Sequence, residues 1–360
     1  MKLKNSIRLF QIKKFPISMA AVKKTTTFEK KDLNFWINKK GMVQIFPRVT
    51  LSKLYKYSHG EGTIGNTWKD HHLTFLDFCK QNLKGDILEL GGGSNSITKL
   101  IKDFSKINKF VCLGKNIKKE KINNKIQYID SFLKLENKIK KFDVILHSHL
   151  FEHVYDVNKF LKTINLNLKD NGLHIFSMPN MKPMIKSGLA NTVSFEHPYY
   201  YDQQLVKNFL EFNKFKILKK KKFREEHSIM FKTKKVSEKK KFKYNKFKYN
   251  KKLFEELFLK WKNDVDKIND NIQKKRNVYL FGGHVFSQLL IYLKLNKNIK
   301  GILDNDTKKQ NKFLYGTSYK IYSPNILRNI KNPYVYLRLG EYNDEIINQI
   351  KKINKRTIFI

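Results

Sequence analysis

Two short stretches of this 360-residue chain carry residue types that could do chemistry. In "SFEHPYY", Glu196 and His197 stand side by side before Pro198, with Tyr199 and Tyr200 after it. An imidazole titrates near neutral pH and can remove a proton, and a neighbouring carboxylate can orient the ring or trade protons with it. The plainer alternative is a polar turn ahead of the helix in "YYDQQLVKNFLEF", with Asp202 near its start. In "ILELGGGSNSI", Glu89 closes an apolar run and Gly91, Gly92 and Gly93 follow. Glycines let a backbone approach a ligand closely, and a helix start offers unpaired N–H groups. The spacing is not the G-x-G-x-x-G of a dinucleotide fold, and no P-loop lysine follows. Alone, such a turn is equally a tight strand-to-helix connection.

The surrounding elements narrow these choices. From Gly85 the chain alternates: "DILELGG" reads as a strand and "SITKLIKDF" has helical spacing. "KFVCLGK", "IQYID" and "FDVILHSHL" read as strands, "DVNKFLKTINLNL" as a helix and "GLHIFSMPN" as another strand. This alternation predicts a parallel, doubly wound α/β sheet. A helix in "TWKDHHLTFLDFCKQNL" precedes it, and a strand or two and a lysine-rich connector follow, with "KFKYN" repeated over 241–250. After the helix "LFEELFLKWKNDVDKIND", a second strand and glycine turn, "NVYLFGGHVFSQLLIYL", opens a smaller α/β unit over about 276–360. The expected organisation is an N-terminal module over 1–80, a central domain over 81–235, a connector and helix over 236–275, and the C-terminal domain.

A net charge of +43 invites a nucleic-acid reading. Lysine carries nearly all of it, arginine is scarce, and Asn, Ile, Phe and Tyr are abundant while alanine is almost absent. That is the bias of A- and T-rich codons, whereas a nucleic-acid surface favours arginine for bidentate contacts. Codon bias is the preferred reading, and attraction of a small anionic substrate is compatible with both readings. No apolar run approaches the roughly 20 residues of a membrane span. The basic start "MKLKNSIRLFQIKKF" lacks the apolar core of a secretion signal. Two isolated cysteines, Cys79 and Cys112, form neither a disulfide framework nor a CxxC site, so a reduced, cytoplasmic setting is expected.

Over roughly 85–235 the ordered set "ELGGG", "YID", "FDVILHSHLFEH" and "LKDNG" resembles the class I S-adenosylmethionine-dependent methyltransferases. The resemblance implies a Rossmann-like sheet with Glu89 and the Gly91–Gly93 turn lining the methionine part of S-adenosyl-L-methionine. Asp130 would meet the adenine amino group, and the segment with His149, Glu152 and His153 would flank the cofactor beside the substrate. Such enzymes usually carry a ribose-binding acid after the second strand. Here that strand runs "CLGKN", and water, Asn116 or another loop must serve.

Both flanks, "LYKYSHGEGTIGNTWKDHHLTFLDF" and "FGGHVFSQLL" with "GILDND" and "YGT", resemble the sugar C-methyltransferases, which act on nucleotide-linked sugars. That family's zinc-binding "C-x-x-C-G-x-V-Q-L" reads "INKKGMVQI" here, with Ile37 and Lys40 in the thiolate places. Neither can ligate zinc, so no metal is expected in this module. His59, His71 and His72 could in principle bind a metal, but they lack cysteine partners and are read as neutral or substrate-facing. The family's "Y-x-E-H" segment would make His197 the general base, with Glu196 beside it. Ser194 stands in the tyrosine's place, and Tyr57, Tyr199 or Tyr200 would substitute. The resemblance implies C-methylation of a nucleotide-sugar through an enolate. The alternatives are O- or N-methylation of a small molecule and, more weakly, a nucleic-acid methyltransferase, whose N-P-P-Y type segment is missing. Oligomeric state is not legible.

Overall fold

The computed structural model describes residues 5–24, 26–57, 65–91, 97–114, 122–131, 141–190, 194–295 and 298–360. Contacts divide the chain into two units: residues 65–181 with 201–244, and residues 1–64 with 182–200 and 245–360.

The first unit is built on seven strands: β1 (Gly85–Leu90), β2 (Ile107–Gly114), β3 (Ile126–Asp130), β4 (Phe142–Ser148), β5 (Leu168–Pro179), β6 (Phe215–Phe223) and β7 (Ser228–Lys235). They lie in the order β6-β7-β5-β4-β1-β2-β3. β1 to β5 are parallel, and β7 runs antiparallel to both its neighbours. This is the Rossmann-like α/β sheet expected of a class I methyltransferase. Ile87, Leu88, Ile145 and Leu146 are wholly buried, as parallel strands covered on both faces require. Helix α1 (Asn66–Cys79) buries Thr67, His71, Phe75, Phe78 and Cys79, a face repeating at helical spacing. Two aspartates cap the next helices: Asp156 accepts from Lys159 N at 2.9 Å before α2 (Val157–Asn167), and Asp202 from Leu205 N at 2.7 Å before α3 (Gln203–Phe212). Each satisfies an N–H that the first helical turn leaves without a partner. The helical spacing of "SITKLIKDF" is met, among the described residues, only by a 3-10 turn over Ile97–Leu100.

The second unit joins the two ends of the chain. Strands Ser6–Pro16, Lys30–Asn38 and Val43–Phe46 form an antiparallel sheet. Strands Val278–Phe281, Ile299–Leu303, Ile321–Tyr322, Tyr334–Tyr336 and Ile358–Phe359 form a parallel one. Between them in sequence lies the long helix Phe247–Ile272, whose Phe254, Phe258 and Trp261 pack around Phe35 at centroid distances of 6.4, 5.1 and 6.4 Å. The Gln288 amide adds a second tie, donating to Ser18 O at 2.9 Å and Tyr315 O at 2.8 Å. Ile37, in one of the expected thiolate places, is fully buried in this apolar packing. Contacts thus partition the chain differently from the four sequence segments: α1 belongs with the seven-stranded sheet, whereas 1–64, 182–200 and 245–360 share a unit.

Candidate active site

The carboxyl ends of β1 to β4 form the crest where open α/β sheets take their ligands. Gly91 follows β1 with φ +72°, in the left-handed region that favours glycine, and donates its N–H to Leu113 O at 2.8 Å. Gly92 and Gly93 lie outside the described residues. Glu89 is buried and turned onto its own loop: Oε1 accepts from Ile97 N at 2.9 Å and Oε2 from the Thr98 hydroxyl at 2.6 Å. The carboxylate therefore braces the segment after the glycines. At the far end of the crest, Gly114 pairs in register with Asp130, which is exposed at the tip of β3. Lys115 and Asn116 also lie outside the described residues.

After β4 the backbone of His149 enters the left-handed region at φ +49° and donates its N–H to Ser177 O at 3.0 Å. Its ring is held on both sides: Nδ1 lies 3.1 Å from Glu152 Oε1 and Nε2 2.8 Å from the Ser228 hydroxyl. Glu152 is buried, and His153 Nε2 lies 3.9 Å from the same oxygen. A left-handed non-glycine residue costs on the order of 1 kcal/mol and persists only where its surroundings over-determine it. Four histidines converge here. His71 and His72 of α1 and His227 of the β6–β7 turn gather with His149 around Trp68, whose ring lies 4.7–5.8 Å from each of them. Burial, reinforced by neighbouring imidazoles, holds His71 well below the usual histidine range, His72 at about 4 and His227 at about 3. These rings are neutral at physiological pH.

The "SFEHPYY" stretch belongs to the other unit, pinned at both ends. His197 N donates to Ser194 O at 3.0 Å and Glu196 N to Ser194 Oγ at 3.2 Å, which closes the turn. Pro198 O then accepts from Ile45 N at 3.1 Å, and Tyr200 N donates to Val43 O at 3.0 Å, which annexes the segment to the N-terminal sheet. Glu196 is 6% exposed, whereas His197 is half-buried. Tyr199 and Tyr200 are buried: the Arg48 guanidinium covers Tyr199 at 4.5 Å, and Tyr200 meets Phe254 edge-on at 5.2 Å. Tyr57 is half-buried, its ring 5.7 Å from Tyr315. The expected site residues therefore fall into two groups: Glu89, Gly91, Asp130, His149, Glu152 and His153 in one unit, and Tyr57, Glu196, His197, Tyr199 and Tyr200 in the other.

Residues 64–220 match the family model described as "Methyltransferase domain". The chain thus carries an S-adenosylmethionine-dependent methyltransferase domain over these residues. Among solved structures, an S-adenosylmethionine-dependent methyltransferase of Mesorhizobium loti is 15% identical with a TM-score of 0.36, covering 48% of this chain and 99% of its own. The N-methyltransferase NodS of Bradyrhizobium japonicum is 10% identical at a TM-score of 0.36, covering 48% of this chain and 97% of its own. A methyltransferase of Clostridium acetobutylicum is 14% identical at 0.36, covering 52% and 96%. No functionally curated protein matches the chain.

At the crest a left-handed glycine follows β1, an exposed acid ends β3, and Glu89 braces Ile97 and Thr98. Among the described residues, no helix is long and apolar enough to cross a membrane. Sequence reasoning did not single out His227, Ser228 or Trp68. The one available signal was the density of imidazoles in "DHH", "HSHLFEH" and "EEH".

Proposed function

We propose that this methyltransferase places the methyl group on a carbon of a nucleotide-activated sugar or a related small molecule, through an enolate. The observation that carries this reading is the 194–200 turn, where a buried carboxylate and a half-exposed imidazole are adjacent on a backbone bonded at both ends. A base that works on a substrate must be held firmly and still reach it, and His197 meets both needs. Gly91 would hold the cofactor by close backbone approach, Asp130 through the adenine amino group, and the 149–153 segment would flank it. When bound, S-adenosylmethionine supplies an activated methyl sulfonium, so the protein's own task is to make and place the nucleophile. His197 takes the proton from the carbon beside a keto group, and the electron pair left behind is the enolate. That carbon would be the nucleophile to which the bound cofactor supplies its methyl group. Glu196 positions or charges the imidazole, and Tyr57, less buried than Tyr199 and Tyr200, meets the oxyanion. The net charge of +43 favours an anionic nucleotide carrier.

Incubating the enzyme with keto-sugar nucleotides in deuterated water, without cofactor, tests this reading. Deuterium should enter the sugar carbon. Methyl transfer to oxygen or nitrogen with no such exchange would establish the alternative chemistry.

A further inference from the structure

We propose that the methyltransferase unit holds a divalent transition metal, zinc by first choice, on the imidazoles of His71, His149 and His227. One donor nitrogen from each ring lies within 4.8 Å of the other two. His71 is the observation that demands an occupant: its side chain is wholly buried, and neither ring nitrogen has a hydrogen-bond partner among the described residues. An unsatisfied buried polar group costs about 1–3 kcal/mol, and such a group calls for an unseen ion or water. A metal with three neighbouring imidazoles answers it directly.

The donors are prepared for a cation in three further ways. First, Glu152 lies 3.1 Å from His149 Nδ1, which places the proton there and the lone pair on Nε2. Carboxylate, histidine and metal in series is the usual way a ligand ring is oriented. Second, the Ser228 hydroxyl hydrogen-bonds His149 Nε2 at 2.8 Å and His227 Nδ1 at 2.6 Å, so its oxygen stands beside the cluster and can join a metal that displaces these bonds. Third, Trp68 and Phe223 wall the cluster: Trp68 lies 5.4 Å from His71, and Phe223 lies 5.3 Å from His71 and 5.0 Å from His227. Apolar walls exclude water and strengthen binding.

Three imidazoles without thiolates suit zinc with a fourth position left for water or the Ser228 oxygen. Zinc–nitrogen bonds of about 2.0–2.1 Å place tetrahedral donors roughly 3.4 Å apart, so the rings close in by about 1 Å on binding. The buried Cys79 and Cys112 are not among the clustered donors.

The test uses full-length, tag-free protein stripped with a chelator and then given zinc or cobalt(II) alone. Zinc should be retained at one equivalent through gel filtration and raise the melting temperature. Cobalt(II) should give visible bands of tetrahedral intensity. His71→Asn and His227→Asn should weaken zinc binding at least about a hundredfold, and Glu152→Gln about 10–100-fold. A folded wild-type protein that retains no zinc and gives no tetrahedral cobalt spectrum overturns the proposal. So does zinc affinity unchanged in His71→Asn. If that variant does not fold, the wild-type cobalt spectrum decides, octahedral bands counting against the site. None of these readouts depends on turnover, so they stand apart from the substrate reading.

Discussion

The crest of the seven-stranded sheet and the 194–200 turn handle their polar groups in opposite ways. At the crest, side chains face inward. Glu89 bonds Ile97 and Thr98 and His149 bonds Glu152 and Ser228, while Gly91 has a left-handed backbone and Asp130 stands exposed at the tip of β3. In the turn, the backbone bonds Ser194, Ile45 and Val43, and the His197 side chain is partly exposed. A region that works through backbone should tolerate few changes of conformation, and one that works through a side chain should tolerate few changes of chemistry. The histidines sharpen the contrast. His72 and His227, held at about 4 and about 3, are neutral in neutral solution, whereas the base we propose, His197, belongs to the turn.

The largest expected effect follows from that assignment. Removing a positioned general base costs about 10²–10⁴-fold in turnover. His197→Gln should lose that much while cofactor affinity, measured by calorimetric titration with S-adenosylhomocysteine, changes little. Turnover near wild type would return the turn to a purely structural role and erase the contrast.

Acid should separate the two units next. His147 and His174 share a hydrogen bond of 3.0 Å between their Nε2 atoms inside the sheet, and burial holds His174 at about 3 and His147 well below the usual range. Both are neutral when folded, whereas the unfolded chain protonates near 6.5. The unfolded state thus binds more protons as pH falls through 6.5, and stability declines from there towards the folded values. Between pH 6.5 and 5 each fully buried ring should remove on the order of 2 kcal/mol. Urea midpoints read by Trp68 in one single-tryptophan protein, and by Trp261 in another, should fall earlier for Trp68. Equal, shallow pH dependence at both probes would count against buried neutral imidazoles.

How far the molecule was legible from its sequence depends on the range of the signal. Strand order at the crest was readable because parallel strands are apolar over consecutive residues and the glycine turn marks β1. The "SITKLIKDF" helix was not, because its described part is only the Ile97–Leu100 turn, bonded to Glu89. The packing of Phe35 on Phe254, Phe258 and Trp261 joins segments some 220 residues apart, which no local pattern encodes. The histidine cluster escaped for the same reason: α1, the end of β4 and the β6–β7 turn each contribute to it. Reading His71 and His72 as neutral agrees with their lowered pKa values, but their convergence with His149 and His227 was invisible.

The smallest expected effect tests the backbone side of the contrast at Gly91. An added Cβ there would find Leu150 side-chain atoms at 3.6–3.9 Å, an ordinary contact, so space inside the protein does not forbid a side chain. Conformation does: at φ +72° a β-branched residue is strained, by about 1–3 kcal/mol. Asparagine visits this region more readily than other non-glycine residues. Gly91→Val should therefore lower the melting temperature, whereas Gly91→Asn should leave it nearly unchanged. If the cofactor is held by close backbone approach, both variants should still bind S-adenosylhomocysteine at least tenfold more weakly. Gly91→Asn that binds like wild type would mean the glycine serves only the turn, and the crest would then have to grip its ligand through side chains, as the 194–200 turn does.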